Sequence, residues 1–167
     1  MPEFEKIEIM HPDVSQVLQS LLNAAISDFI NEFNQAIKNG TSEVNLAHHL
    51  LIKINKYLPN NLYDTDLDYN RMNLVNSKSG TNRKLMRPDI VIHKRGSDTD
   101  NRLVIEVKTK WTGKINLKDK QKLEMLTNPT GNFHYDFGLF LAFNLKATPV
   151  QPVLRWFKSG NLLTYQI

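Results

Sequence analysis

The sequence predicts an α/β fold, with an α+β arrangement in which helices pack against a mixed sheet. Two amphipathic helical patterns open the chain, and short runs rich in Val and Ile, each bounded by turn-forming residues, follow them. A third helical pattern then precedes a nearly continuous apolar run. At 167 residues the chain suits one domain with a substantial core. We expect a single domain over 1–167, made of an N-terminal helix at 12–39, a core at 42–145 and a closing hairpin at 150–167.

The first helix is predicted by apolar residues that recur every three or four positions from Val14 to Ile37. Pro12 suits its first turn, and Gly40 suits the position that ends it. We therefore expect a long amphipathic helix over 12–39. Its apolar stripe is generous for one small domain, so a homodimer formed through this helix is a hypothesis.

The second helix is predicted over 43–58, because Thr41-Ser42 can cap its start and Pro59 stops it. Glu43 lies in the first turn and points to the same side as the apolar residues of this helix. An acidic residue in a first turn is also favoured by the helix dipole. Glu43 therefore has a structural explanation beside any role in a site.

Three strands are predicted next, over 63–75, 87–93 and 103–108. A polar linker with one glycine joins the last two, which is typical of an antiparallel hairpin. Because strand side chains alternate between the two faces of a sheet, Glu106 and Lys108 share a face.

Charged side chains of this hairpin form the candidate site. Asp89 belongs to its first strand, and Glu106 and Lys108 belong to its second. The hairpin can bring the three side chains together at one end of the sheet, among apolar neighbours. Two carboxylates and a lysine in such surroundings are costly unless they bind something or pair with each other.

The rest of the chain is predicted to complete the sheet. A helix over 117–127 has Leu123 and Leu126 facing the core, with its charged residues projecting outward. The apolar run at 135–145 is typical of a central strand buried on both faces, and the runs at 153–157 and 162–167 predict the closing hairpin. The helix residues expected to point outward are Lys118, Asp119, Lys120, Lys122 and Glu124.

Pro88-Asp89 and Glu106-Val107-Lys108, with sixteen residues between Asp89 and Glu106, resemble the signature of the PD-(D/E)XK nuclease superfamily. Proteins of this superfamily have the restriction-endonuclease-like fold. The string Asp68-Tyr69-Asn70-Arg71 narrows the resemblance to a group of uncharacterised bacterial proteins within it. The resemblance covers roughly 42–145 and implies an αβββαβ core, with an extra N-terminal helix and a C-terminal hairpin.

The resemblance also implies a site for Mg²⁺ or Mn²⁺. Asp89 and Glu106 are the expected ligands, together with the Val107 carbonyl and with Glu43, which matches the acidic residue that the superfamily places on the helix before the sheet. Lys108 is expected beside the attacking water. Such hard cations prefer oxygen ligands, and Mg²⁺ keeps several waters. The implied activity is hydrolysis of phosphodiester bonds in nucleic acid, with DNA as the expected substrate.

The charge distribution favours a polyanionic partner. Residues 1–70 carry ten acidic and four basic side chains, whereas residues 71–167 carry seven acidic and seventeen basic ones. The net charge of +4 therefore hides a basic half, and this half contains most of the candidate site. The candidate phosphate contacts are Arg71, Lys84, Arg87, Lys118 and Lys122.

Composition and motifs argue against several other classes. The absence of cysteine excludes disulfides and Cys-ligated zinc. No apolar run reaches the length of a membrane span, and the first residues are polar and acidic, so a cytoplasmic location without membrane association is expected. Neither a nucleophile elbow nor a phosphate-cradling glycine-rich loop occurs.

Two alternatives to a nuclease stay open. The first is a nucleic-acid-binding module that has the same fold but no turnover. The second is a structural or interaction protein in which Glu106 and Lys108 only pair with each other.

Overall fold

A computed structural model describes residues 11–59, 62–67, 87–97 and 99–164. This described part contains three helices and six strands. In chain order they are α1 Gln16–Lys38, α2 Glu43–Tyr57, β1 Asp64–Leu67, β2 Ile90–His93, β3 Asn101–Val107, α3 Leu117–Leu126, β4 Phe137–Asn144, β5 Gln151–Lys158 and β6 Asn161–Leu162.

The six strands form one mixed sheet in which spatial order follows chain order from β1 to β6. Neighbouring strands pair antiparallel except β3 and β4, which are parallel. A parallel pair needs a crossover, and α3 supplies it. The mixed α/β architecture is confirmed, and the predicted antiparallel hairpin corresponds to β2 and β3. From α2 to β4 the elements follow one another in the predicted order: helix, three strands, helix, strand.

Helices cover both faces of the sheet. The helices α1 and α2 pack on one face, where they bury Phe29 and Leu50 against Ile90, Ile105 and other strand residues. On the opposite face, α3 packs against the side chains that alternate with these along the same strands. Most of the apolar side chains of α1 are buried by this packing. The homodimer through α1 stays a prediction.

The start of α1 differs from the prediction. The helix begins at Gln16, where the Ser15 hydroxyl accepts a hydrogen bond from an amide of the first turn. Pro12 lies in a preceding turn instead, because the Gln19 side chain bonds both the amide and the carbonyl of His11 and fixes that turn against the helix. The boundary at residue 12 is therefore wrong, and the capping serine decides it.

Most other predicted elements agree with the structure to within a few residues. The last strand, predicted over 162–167, is shorter: β6 ends at Leu162, 163–164 are not in a strand, and 165–167 lie outside the described residues. Ser42 caps α2 as predicted, and Asn116 caps α3. The apolar run becomes β4, whose Leu139 and Phe140 are buried on opposite faces of the sheet. Of the strand predicted over 63–75, β1 accounts for Asp64–Leu67, and 68–75 lie outside the described residues.

A glycine allows α3 to approach the sheet closely. A Cβ at Gly138 of β4 would lie 3.0 Å from the Thr127 methyl group and 3.2 Å from a methyl group of Leu123. A larger residue would require these neighbours to shift by a few tenths of an ångström. This contact matters for the site, because α3 provides two of its charged side chains. Among the described helices, none is both long and apolar enough to span a membrane.

Candidate metal centre

The predicted site lies where β2 begins and β3 ends. The two strands pair with Ile90 opposite Ile105, so Asp89 and Glu106 occupy the next positions along the hairpin. The Asp89 carboxylate accepts a hydrogen bond of 2.7 Å from the amide of Val107. This hydrogen bond therefore links the Pro88-Asp89 half of the motif directly to the Glu106-Val107-Lys108 half.

Asp89 is partly buried, and this burial raises the pKa of its carboxyl. The hydrogen bond from Val107 and the charges of Lys122 and Lys108 act in the opposite direction but do not cancel the effect of burial. Removing water from a carboxylate disfavours its charged form, so a nearby cation would stabilise the ionised form of Asp89.

Glu106 is 1% exposed, and its two carboxylate oxygens have different surroundings. One oxygen, Oε2, lies 2.7 Å from the ammonium nitrogen of Lys122. The other, Oε1, is buried and has no hydrogen-bond partner among the described residues. Burial, and after it the charge of Asp89, raises the pKa of Glu106 to about 8 even though Lys122 favours the charged form. A buried oxygen without a partner is rare and requires an explanation.

Lys108 follows the last residue of β3 and lies between two carboxylates. Its ammonium nitrogen is 3.1 Å from a Glu43 oxygen and 3.3 Å from an Asp119 oxygen. Burial alone would lower the pKa of Lys108, but the charge of Asp119 and the contacts with Glu43 outweigh it and raise that pKa. Glu43 and Asp119 belong to the first turns of α2 and α3, so helices from both faces of the sheet hold this lysine.

The orientation predicted for two residues of α3 is wrong. Lys122 and Asp119 were expected to point outward, yet they are 9% and 4% exposed. The Lys122 ammonium reaches Glu106 and also donates to the Arg87 carbonyl at 2.9 Å. The aliphatic part of the Lys122 side chain can pack along the edge of the core because its ammonium group has hydrogen-bond partners there.

The sequence contained a signal for this face of α3. Asp119, Lys122, Leu123 and Leu126 are spaced as i, i+3, i+4 and i+7, which places all four on one side of a helix. The rule that charged residues of a helix point to solvent assigned only the two leucines to the core. The charged partners on β3 favour the inward orientation of the other two.

The charges around the site do not cancel. The described residues provide four carboxylates and two ammonium groups there, which leaves two formal negative charges. These groups belong to Asp89, Glu106, Glu43, Asp119, Lys108 and Lys122. A divalent cation would neutralise such an excess.

The ligand set is small. No three His, Asp or Glu side chains of the described residues form a ready-made metal cluster. Asp89, the free oxygen of Glu106 and the Val107 carbonyl fit an ion that fills its remaining positions with water, as Mg²⁺ does. Glu43 contacts Lys108, and its role as a metal ligand stays a prediction.

The predicted nucleic-acid contacts are only partly visible. Lys118 and Arg87 are exposed. Arg71 and Lys84 lie outside the described residues, as does the string 68–71. Lys122 is buried against Glu106, which leaves its ammonium engaged inside the site rather than at the surface.

No family model, curated protein or solved structure matches this chain. Its function must therefore be inferred from the side chains that meet at the ends of β2 and β3.

Proposed function

We propose that this protein is a metal-dependent nuclease that hydrolyses phosphodiester bonds of nucleic acid, with DNA as the expected substrate. Asp89, Glu106 and the Val107 carbonyl would hold Mg²⁺ or Mn²⁺. The observation that carries the proposal is the buried carboxylate of Glu106, whose pKa the charge of Asp89 helps to raise: one oxygen bonds Lys122, and the other has no partner among the described residues.

A purely structural role does not explain this carboxylate. A structural ion pair would satisfy both oxygens of Glu106, since an unsatisfied buried polar group costs roughly 1–3 kcal/mol. A second carboxylate nearby raises that cost, because Asp89 and Glu106 repel each other. Bound Mg²⁺ or Mn²⁺ would offset both effects and would supply the Lewis acidity that activates water and neutralises phosphate charge.

Lys108 is proposed to act as a cation. Glu43 and Asp119 fix its ammonium group and favour its charged form, which makes a proton-accepting role unfavourable. A fixed ammonium beside the reacting phosphate stabilises the negative charge that develops in the transition state. The pairing of Glu106 with Lys108 that the alternative of a structural or interaction protein assumed is not present, because each pairs with other residues. A structural or interaction role itself stays an untested alternative.

The resemblance to the PD-(D/E)XK superfamily supports the same proposal. The observed order of α2, β1, β2, β3, α3 and β4 agrees with an αβββαβ core, and β3 and β4 are parallel neighbours. We take the restriction-endonuclease-like fold as part of the proposal.

Metal binding and cleavage can be measured on the same variants. We expect Mn²⁺ to bind the wild-type protein in a calorimetric titration, and Asp89→Asn and Glu106→Gln each to weaken binding by about tenfold or more. Both variants should lose Mg²⁺-dependent cleavage of single-stranded and double-stranded DNA. Glu124→Gln is the matched control, because Glu124 pairs with Lys120 on the outer side of α3. Cleavage by purified Asp89→Asn would contradict the proposal.

One observation favours the alternative of a nucleic-acid-binding module without turnover. The pair of Glu106 with Lys122 already compensates one carboxylate without any metal. This alternative predicts binding of nucleic acid that weakens steeply with salt, but no product with Mg²⁺ or Mn²⁺.

A further inference from the structure

The segment that connects β3 to α3 begins and ends at the candidate site. Lys108 precedes it and Asp119 follows its end, and these two side chains lie 3.3 Å apart. Residues 109–118, which comprise this connection and the first two residues of α3, therefore begin and end beside the site. The segment contains three lysines and no acidic residue.

The lysines of this segment are not neutralised by acidic side chains of the described residues. Lys110, Lys114 and Lys118 are exposed and form no ion pair within the described ranges. Elsewhere, some exposed or partly exposed basic residues have acidic partners, as in the pairs of Lys53 with Glu32, Lys56 with Asp28, Arg95 with Asp66 and Arg102 with Asp136, and others, such as Lys38 and Lys146, form no ion pair within the described residues. The segment 109–118 is distinguished by three such lysines within ten residues that include no acidic side chain. An unneutralised cluster of cations next to the site favours an anionic ligand.

An aromatic residue lies among the three lysines. Trp111 is partly exposed, and its amide donates a 2.8 Å hydrogen bond to the Phe143 carbonyl, which anchors it to the end of β4. The guanidinium group of Arg155 lies 5.2 Å from the centre of the Trp111 ring, and Phe140 contacts the ring edge-on. A planar cation stacked on an anchored indole is a rigid platform for another flat group.

We propose that Lys110, Trp111, Lys114, Lys118 and Arg155 form a binding surface for an unpaired nucleic-acid strand that leads into the site. This surface, called the 110–118 surface below, rests on the proposed nuclease function and adds a substrate class to it. The lysines contact phosphates, and a base stacks on the platform of Trp111 and Arg155.

An unpaired strand fits these groups better than a duplex. Bases in a duplex are stacked on one another and are not available to an aromatic side chain, whereas single-strand binding combines cationic grooves with aromatic stacking. DNA and RNA share this chemistry, so oligo(dT) and oligo(U) serve as separate arms of the test. A duplex of the same length is the third arm.

The salt dependence of binding tests the lysines. Anisotropy of a labelled dodecamer is measured in EDTA, which prevents cleavage, over a series of salt concentrations. Replacing Lys110, Lys114 and Lys118 by Ala should reduce the slope of log K against log salt by about 2, since each phosphate contact on a single strand contributes about 0.7. The control removes equal charge elsewhere: Lys53, Lys56 and Lys94 are replaced by Ala, and the slope should stay within about 0.5 of wild type.

The platform is tested through Trp111. Trp111→Ala should weaken oligo(dT) or oligo(U) binding by about tenfold or more, while Trp111→Phe should recover most of the affinity. Binding should also quench tryptophan emission, because a base stacks on Trp111. The second tryptophan, Trp156, is only 2% exposed and cannot stack on a base, so the quench reports on Trp111. The quench should disappear in Trp111→Phe.

The outcomes separate this inference from the proposed function. An unchanged salt slope in the triple lysine variant, or a duplex that binds as tightly as both single strands, overturns the 110–118 surface even if Mn²⁺ binds and DNA is cleaved. Absence of Mn²⁺ binding and cleavage, combined with the predicted slope and quench, overturns the nuclease and leaves the surface standing as a single-strand binding site.

Discussion

The ammonium nitrogen of Lys122 lies 2.7 Å from an oxygen of Glu106, and both side chains are buried between α3 and β3. The same nitrogen donates to the carbonyl of Arg87, the residue before Pro88-Asp89. Lys122 therefore holds together the two ends of the hairpin that bear Asp89 and Glu106, and among the described residues it is the only ion-pair partner of Glu106.

Replacing Lys122 by Met should destabilise the metal-free protein. Above about pH 8, where the Glu106 carboxyl of the wild-type protein is ionised, the change leaves this carboxylate buried without a counter-charge, which costs about 3 kcal/mol and lowers the melting temperature by about 10 °C. Mn²⁺ should raise the melting temperature more in this variant than in the wild type, because the cation replaces the missing charge. Differential scanning calorimetry with and without Mn²⁺ measures both effects.

Lys120→Met is the control for that experiment. Lys120 lies on the same helix but is more exposed, and its nitrogen is 3.7 Å from the Glu124 carboxylate. We expect its melting temperature to change by no more than about 2 °C, as for a surface ion pair. Equal changes in melting temperature for the two substitutions would show that the buried pair of Lys122 with Glu106 contributes no more to stability than the surface pair of Lys120 with Glu124.

Stability of the metal-free protein should fall as pH rises from about 5 to about 8. The pKa of Glu106 is raised from 4.5 to about 8, so the folded protein retains a proton there that the unfolded chain has released. The folded state binds more protons in this window, and the free energy of unfolding therefore decreases with pH. Asp89, whose pKa is also raised, contributes in the same direction. Urea denaturation in EDTA at several pH values measures the slope.

Glu106→Gln should flatten this pH dependence, since the amide has no proton to lose. The other charged groups at the Glu106 carboxylate (Asp89, Asp119 and Lys122) remain in the variant. A slope that is equal in both proteins, or stability that increases over this window in the wild type, would show that Glu106 is ionised in the folded protein at pH 5.

Lys108→Gln should strongly slow cleavage while largely preserving metal binding. The loss of a fixed cation at the reacting phosphate is expected to reduce the cleavage rate by about 100-fold or more. Mn²⁺ affinity should not fall, because Lys108 is a positive charge near the ion rather than a ligand. Calorimetry and single-turnover cleavage on the same preparation measure metal binding and cleavage rate. A wild-type cleavage rate in Lys108→Gln would show that Lys108 does not take part in catalysis.

Strand alternation was sufficient to predict the two faces of the hairpin. Ile90, Ile105 and Val107 line the face covered by α1 and α2, whereas Val91 and Glu106 belong to the face of α3, because a period of two holds along both strands. The cap of α2 was predicted in the same way, since Ser42 bonds an amide of the first turn. The caps at Ser15 and Asn116 were not predicted.

The partners of the charged residues could not be predicted in the same way. Lys122 and Asp119 point inward only because Glu106 and Lys108 lie beneath α3, and that proximity depends on Gly138 and on the parallel pairing of β3 with β4. Sequence pattern describes one element at a time, whereas these contacts depend on how a helix is placed over a sheet.

The central claim is that a divalent cation binds between Asp89 and the free oxygen of Glu106. Crystals soaked in Mn²⁺ and measured at the manganese absorption edge test it most directly. The account predicts an anomalous peak about 2.1 Å from an oxygen of each carboxylate. A map without a peak there, at the Mn²⁺ concentration used in the cleavage and binding measurements, would contradict the claim that a cation binds between the two carboxylates.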